Sequence, residues 1–160
     1  MFKRILIALD KPQADHAAFR AGLGLAALAQ GQVQLFHSLF PGEGGAPMPP
    51  GGDVFFVPGY IPDASTFDSY QRSWADHCQR NQEALEALTQ LPEAAAVEGI
   101  TAVQIQGTPG RSICEAAAAW PADLIVVGRR HQSAISELFM GSVSSYVLHH
   151  APCAVMVVPD

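Results

Sequence analysis

The sequence predicts a doubly wound α/β domain, a five-stranded parallel sheet with helices on both faces. Short apolar runs without alternation recur along the chain, as strands buried on both faces require. Segments of helical period separate them, so strand and helix alternate to the end. At 160 residues, 49% apolar and 15% charged, the chain is one domain over 1–160, and folding removes ~70% of its surface from water.

The first run, Ile5 to Leu9, is apolar throughout and stops at Asp10. A helical pattern follows from Ala14 to Gln30, with Ala18, Ala21, Gly22, Leu25, Leu28 and Ala29 on one stripe and Gly31 placed to end it. Val33 to Phe40 reads as the second strand. Between positions 41 and 62 lie six of the twelve prolines and six of the fourteen glycines, with no Lys or Arg. This is expected to be a long surface loop. Asp63-Ala64-Ser65 offers caps, and Ser65 with Asp68 a capping box, for a helix carrying Phe67, Tyr70, Trp74, Cys78, Asn81, Leu85 and Leu88 at three-four spacing until Pro92.

Ile100 to Gln106 reads as the third strand, and Thr108-Pro109 starts a helix whose buried stripe is Ile113, Ala117 and Trp120. Leu124 to Val127 is a fourth strand, ended by Gly128. Gly141-Ser142 opens a short helix to about His150, and Cys153 to Val158 is the last strand.

Charge and cysteine content narrow the function. A net charge of −6, with basic residues in no run longer than Lys3-Arg4 or Arg129-Arg130, argues against nucleic acid or an anionic membrane as partner. Cys78, Cys114 and Cys153 form no CxxC pair, which fits a reducing cytosol rather than a disulfide framework or zinc site. The apolar opening is interrupted at Asp10, too early for a signal peptide, and no run approaches the ~20 residues of a membrane span. A cytoplasmic protein is expected.

Ligands of such sheets sit at the carboxyl ends of the strands, where strand order reverses. The residues there are Asp10, Ser38, Gln106-Gly107 and Gly128-Arg129-Arg130-His131. Gly141-Ser142-Val143-Ser144 adds a helix start whose free N–H groups and dipole suit an anion. Gly141 admits a phosphate to the backbone, the two serines supply hydroxyls, and the arginines supply charge.

At these residues the sequence resembles the universal stress protein family, over nearly the whole chain. Nucleotide-binding members carry Gly-x2-Gly-x9-Gly-Ser/Thr. Here Gly128 is followed by His131 in place of the second glycine, then by Gly141-Ser142 after the same nine-residue gap. GSVSSYVLHHAPCAVMVVP and ILIALD also resemble the family's last helix and strand and its opening. The resemblance implies a flavodoxin-like fold, a dimer and binding of ATP or AMP, with Mg²⁺ or Mn²⁺ held mainly by the triphosphate. One subclass binds no nucleotide. By position, Ala8, Leu9 and Asp10 would face adenine or ribose, and Ser38 the base. Val127 and Gly128 would lie by the ribose and first phosphate, with Arg130 and His131 beside them. Gly141, Ser142, Val143 and Ser144 would cradle the phosphates. Histidine in place of a glycine at φ > 0 costs ~1 kcal/mol and adds bulk.

Simpler roles exist for the same residues. Asp10 caps a helix or ends a strand, Gly141-Ser142 is only a helix start, and Arg129 is a solvated charge. The six histidines show no ligand spacing, and His149-His150 suits a helix C-terminus. Phe67, Tyr70 and Trp74 read as core, with a partner or lid surface as the alternative. A receiver domain lacks its aspartate and lysine here, since Gln106-Gly107 and Pro159-Asp160 stand in those places. No P-loop, GxGxxG or HxGH signature is present. No general base for a γ-phosphate is evident, so hydrolysis would be slow at most. Two functions remain: a nucleotide-binding regulator in stress response, dimeric through the last strand and acting on an unknown client protein, or a nucleotide-free interaction module.

Overall fold

The computed structural model describes residues 2–41, 43–51, 63–129 and 141–159. Strands β1 (Arg4–Leu9), β2 (Gln32–Leu39), β3 (Gly99–Gln106), β4 (Leu124–Arg129) and β5 (Ala154–Pro159) form one parallel sheet in the order β3-β2-β1-β4-β5. Helices α1 (Ala17–Ala29), α2 (Ala64–Thr89), α3 (Pro109–Ala119) and α4 (Ser142–His150) make the connections, and a 3-10 turn over Pro92–Ala96 precedes β3. The chain walks outward from β1 to β3, then returns to place β4 on the other side of β1. The two directions part between β1 and β4.

Strand alternation divides the core in two. Ile5, Ile7 and Leu9 of β1 meet Phe19 and Leu23 of α1 and Leu85 and Leu88 of α2. Leu6 and Ala8 meet Ile113 and Ala117 of α3 and Val147 of α4. Ile5, Leu6, Ile7, Ile125 and Val126 are wholly buried, and each such side chain contributes about 1.5–3 kcal/mol of transfer free energy. Lys3 braces this layer at its amino end, its Nζ donating to the Ala29 and Gln30 carbonyls that close α1, at 2.8 and 3.0 Å.

Several expectations are corrected. The buried stripe of α1 is Ala18, Phe19, Gly22, Leu23, Ala26 and Ala29. Leu28, expected inside, is 83% exposed. The larger apolar volumes at Phe19 and Leu23 set the helix's rotation. Gln30, not Gly31, takes the left-handed cap conformation at φ 49°. Gly31 is required for another reason: a Cβ there would lie 2.9 Å from the Lys3 carbonyl oxygen. Of the residues expected to cap α2 it is Asp63 that does so, and no Ser65–Asp68 box forms: the Asp63 Oδ1 accepts from the Thr66 N–H, while the Ser65 hydroxyl donates to that same oxygen. The aromatic half of α2 is not core. Phe67 is 47% exposed, and Tyr70 and Trp74, half-buried, stack at 6.3 Å along a groove shared with β3.

The connection after β2 departs from a plain surface loop at one residue. Glu43 is tucked in, its side chain only 7% exposed against His77 of α2. Positions 52–62, the rest of the expected loop, lie outside the described residues.

Candidate nucleotide site at the carboxyl end of the sheet

At the point where strand order reverses, Ala8 of β1 pairs with Val127 of β4. Ala8, Leu9 and Val127 turn their side chains into the core, with 7%, 3% and 3% exposed. What they offer a ligand beyond the strand ends is therefore backbone. Asp10 follows β1, and its Oδ1 lies 2.7 Å from the His16 Nε2. His16 is the N-cap of α1, its Nδ1 accepting from the Ala18 N–H. With Nδ1 accepting, Nε2 is the nitrogen left to donate to Asp10. Asp10 thus serves the α1 cap through His16, while its own side chain stays 35% exposed at the rim.

Ser38 lies near the end of β2, its hydroxyl donating to the Gly107 carbonyl at 2.8 Å. This bond fastens the end of β2 to the turn that leaves β3. Gly128 and α4 form the other wall. Within α4 the first backbone bond runs from the Ser145 N–H to the Gly141 carbonyl, and no side chain caps the helix. The N–H groups of Ser142, Val143 and Ser144 have no partner within the helix, and they carry its positive end.

Gly141 has φ −57° and ψ 151°, and among the described residues no atom lies within 4 Å of where its Cβ would stand. Among the described residues, neither backbone conformation nor packing demands a glycine there, and none fills the space beside it. Ser142 is exposed, Val143 rests on the second core cluster, and Ser144 is 3% exposed with its hydroxyl donating to the Gly128 carbonyl at 2.8 Å. That proton is committed to the fold, which leaves Ser142 as the free hydroxyl donor of the pair. Arg130 and His131 lie outside the described residues, as does the Arg129 side chain.

The remaining features do not compete for an anion. The groove between α2 and β3, about 540 Å³, is lined by Tyr70, Trp74, Cys78, Gln104 and Gln106 among others, with no cationic side chain. Burial pushes the Cys114 and Cys153 thiols up, so they stay protonated and are poor nucleophiles. Among the described residues no group of three His, Cys, Asp or Glu side chains is arranged to hold a metal ion, and no helix is long and apolar enough to cross a membrane. Sequence reasoning missed the His16 cap and the burial of Glu43, because neither residue sits in a periodic pattern.

The profile of the universal stress protein family matches residues 59–159, more than half of the chain. A universal stress protein of Synechocystis sp., Sll1388, is 30% identical over 98% of this chain and 97% of its own. The chain belongs to the universal stress protein family. A universal stress protein of Thermus aquaticus is 33% identical over 99% of each chain. Among solved structures, the universal stress protein UspA of Lactobacillus plantarum superposes with a TM-score of 0.71 at 21% identity, covering 98% of this chain and 97% of that one. Two further universal stress proteins carry the same fold with a ligand. One was solved with cAMP (TM-score 0.55, 20% identity, 99% and 97% covered), and one from Archaeoglobus fulgidus with dAMP (TM-score 0.53, 20% identity, 98% and 97% covered).

Proposed function

We propose that this universal stress protein binds an adenine nucleotide, ATP or AMP, at the carboxyl end of the sheet, and acts in stress response as a cytoplasmic homodimer. The observation that carries the reading is the start of α4. Three backbone N–H groups lack helical partners there, beside a glycine whose missing side chain no described residue replaces. The relatives solved with cAMP and dAMP support an adenine ligand. Gly141, Ser142, Val143 and Ser144 hold the phosphates through backbone N–H groups and the Ser142 hydroxyl. Asp10 stands at the rim for ribose or adenine, and the backbone of Ala8, Leu9, Ser38, Val127 and Gly128 forms the wall. Arg130 and His131 complete the phosphate side by their place in the motif. Mg²⁺ or Mn²⁺, when a triphosphate brings one, is held by phosphate and water.

Hydrolysis is slow at most, because none of the residues assigned to the site is an evident general base for attack on a γ-phosphate. Calorimetry of nucleotide-stripped protein with ATP, ADP and AMP tests the reading. Saturable heat from any of them supports it. No heat at millimolar ligand overturns it in favour of a nucleotide-free interaction module, the reading that His131 in place of the motif glycine favours.

A further inference from the structure

Behind the carboxyl end of β2, three titratable side chains meet out of water. His37, Glu43 and His77 have side chains 2%, 7% and 8% exposed. The His77 Nε2 lies 2.5 Å from Glu43 Oε1, and the His37 Nε2 lies 3.9 Å from the same oxygen. His37 Nδ1 is 2.9 Å from the Leu9 carbonyl, which only accepts, so that nitrogen carries the proton. A neutral His37 then presents a bare lone pair at Nε2 toward the carboxylate. Among the described residues neither that nitrogen nor Glu43 Oε2 has a hydrogen-bond partner. Acceptors facing one another in a dry site are costly.

The groups around the trio do not resolve this conflict. β1 brings the Leu9 carbonyl. β3 brings Gln104, the register partner of His37; the Gln104 Nε2 donates to the Cys78 carbonyl, and its buried Oε1 is another acceptor without a partner among the described residues. α2 brings the Asn81 amide, the Trp74 ring beside His77 and, further along, the Cys78 thiol held by Gln106. The trio is not arranged as a metal site among the described residues. A proton does fit it. Taken from water onto His37 Nε2, it turns a facing acceptor into a donor toward Glu43 and brings the trio from one negative charge to neutral.

We propose that His37, Glu43 and His77 form a proton-operated latch, closed by one proton on His37 Nε2, that holds Glu43 and the turn to Ala46 against α2. The linkage to the sheet is short. The Glu43 N–H donates to the Phe40 carbonyl and the Ala46 N–H to the Glu43 carbonyl, so the carboxylate fixes a whole turn. His37 holds the Leu9 carbonyl next to Asp10, and Ser38 follows it in β2. The latch stands on this geometry alone. Its effect on ligand affinity rests on the nucleotide reading above.

Histidine-ring NMR of the full chain from about pH 8 to about pH 5.5 reads the proton directly. Hydrogen exchange at the Ala46 amide, corrected for its intrinsic pH dependence, reads the turn. We expect His37 to gain its second proton at Nε2 while keeping Nδ1–H, with exchange at Ala46 slowing about five- to tenfold. Glu43→Gln keeps an acceptor for His77 and removes the charge. His37→Asn keeps a donor for the Leu9 carbonyl and removes Nε2. Both variants lose the response at Ala46. A His37 that stays neutral to the acid end, or an Ala46 response that persists in either folded variant, overturns the latch. ATP affinity over the same range separates the two readings. Proton uptake and slowed exchange without ATP binding at any pH leave the latch standing and remove the nucleotide reading. ATP binding with the same pH dependence in wild type and Glu43→Gln removes the coupling between them.

Discussion

The Ser144 hydroxyl donates to the Gly128 carbonyl across 2.8 Å, and this bond ties the first turn of α4 to the end of β4. The same sequence, Gly141-Ser142-Val143-Ser144, therefore holds two serines of different kinds. One faces inward and fixes the distance between helix and strand. The other is exposed and free to donate outward.

Exchanging each serine separates these roles. Ser144→Ala leaves the Gly128 carbonyl without its donor and lowers unfolding free energy by about 1–3 kcal/mol. Ser142→Ala changes stability by less than ~0.5 kcal/mol, but weakens ATP binding by about 1–2 kcal/mol. Urea unfolding and calorimetry on both variants check the pair. Equal stability losses would show that the buried bond is not special.

Two glycines give an opposite contrast. At Gly141 a side chain meets no described atom, so Gly141→Val folds, at a cost of ~1 kcal/mol or less from the weaker cap. It fills the space that a phosphate needs, and ATP binding is lost. At Gly110 a Cβ would lie 2.8 Å from Tyr146 Cδ1 and 2.9 Å from its Cβ, which pushes α3 from α4. Gly110→Ala then destabilises by about 1–3 kcal/mol through overpacking. Thermal melts read the second effect and calorimetry the first. Undiminished ATP binding by Gly141→Val contradicts the cradle.

How far the sequence carried depended on how strongly burial constrained each segment. β1 and β4 were legible because Ile5–Leu9 and Leu124–Val127 are apolar on both faces, a pattern that few structures other than an inner parallel strand satisfy. The rotation of α1 was not, because alanine and glycine count as apolar on any face and only Phe19 and Leu23 distinguish inside from outside. The helix start at Gly141 was legible from motif and spacing, and the structure adds which serine faces inward. Glu43 was illegible. A carboxylate in a Pro/Gly stretch carries no period, and its burial is decided by His77, thirty-four residues further along.

Asp123 supplies a pH dependence away from the site. Its Oδ2 accepts from the Arg4 and Lys3 backbone N–H groups at 2.8 Å each, and these bonds hold its carboxyl below the ordinary carboxylate range. A carboxyl lowered on folding adds stability above its unfolded value of ~3.9, and that contribution is lost as pH falls through the folded value. Asp63 at the α2 cap is lowered by the Thr66 N–H and hydroxyl and the Ser65 hydroxyl, and acts in the same direction. Asp123→Asn should lower Tm at neutral pH, and the gap to wild type should narrow as pH approaches the acid limit of folding. A gap that is constant or widens in acid contradicts the assignment.

The last prediction concerns the sheet's open edges. β5 pairs only with β4 and carries no charged residue, with Met156 38% exposed and Val155, Val157 and Val158 half-buried. An apolar edge without a charge or bulge to guard it invites another strand, and a two-fold axis lets the same strand from a second copy cover it. β3, the opposite edge, also exposes an apolar side chain, Ile105 at 41%, but α2 packs against that strand and holds Gln104 and Gln106 through Cys78. We therefore expect a dimer through β5. Met156→Lys sets like charges close together across the axis and should yield monomer or insoluble protein, whereas Ile105→Lys on the far edge should leave the dimer intact. Light scattering at micromolar concentration distinguishes the cases. A monomeric wild type removes the interface altogether, and dissociation by Ile105→Lys rather than Met156→Lys moves it to β3.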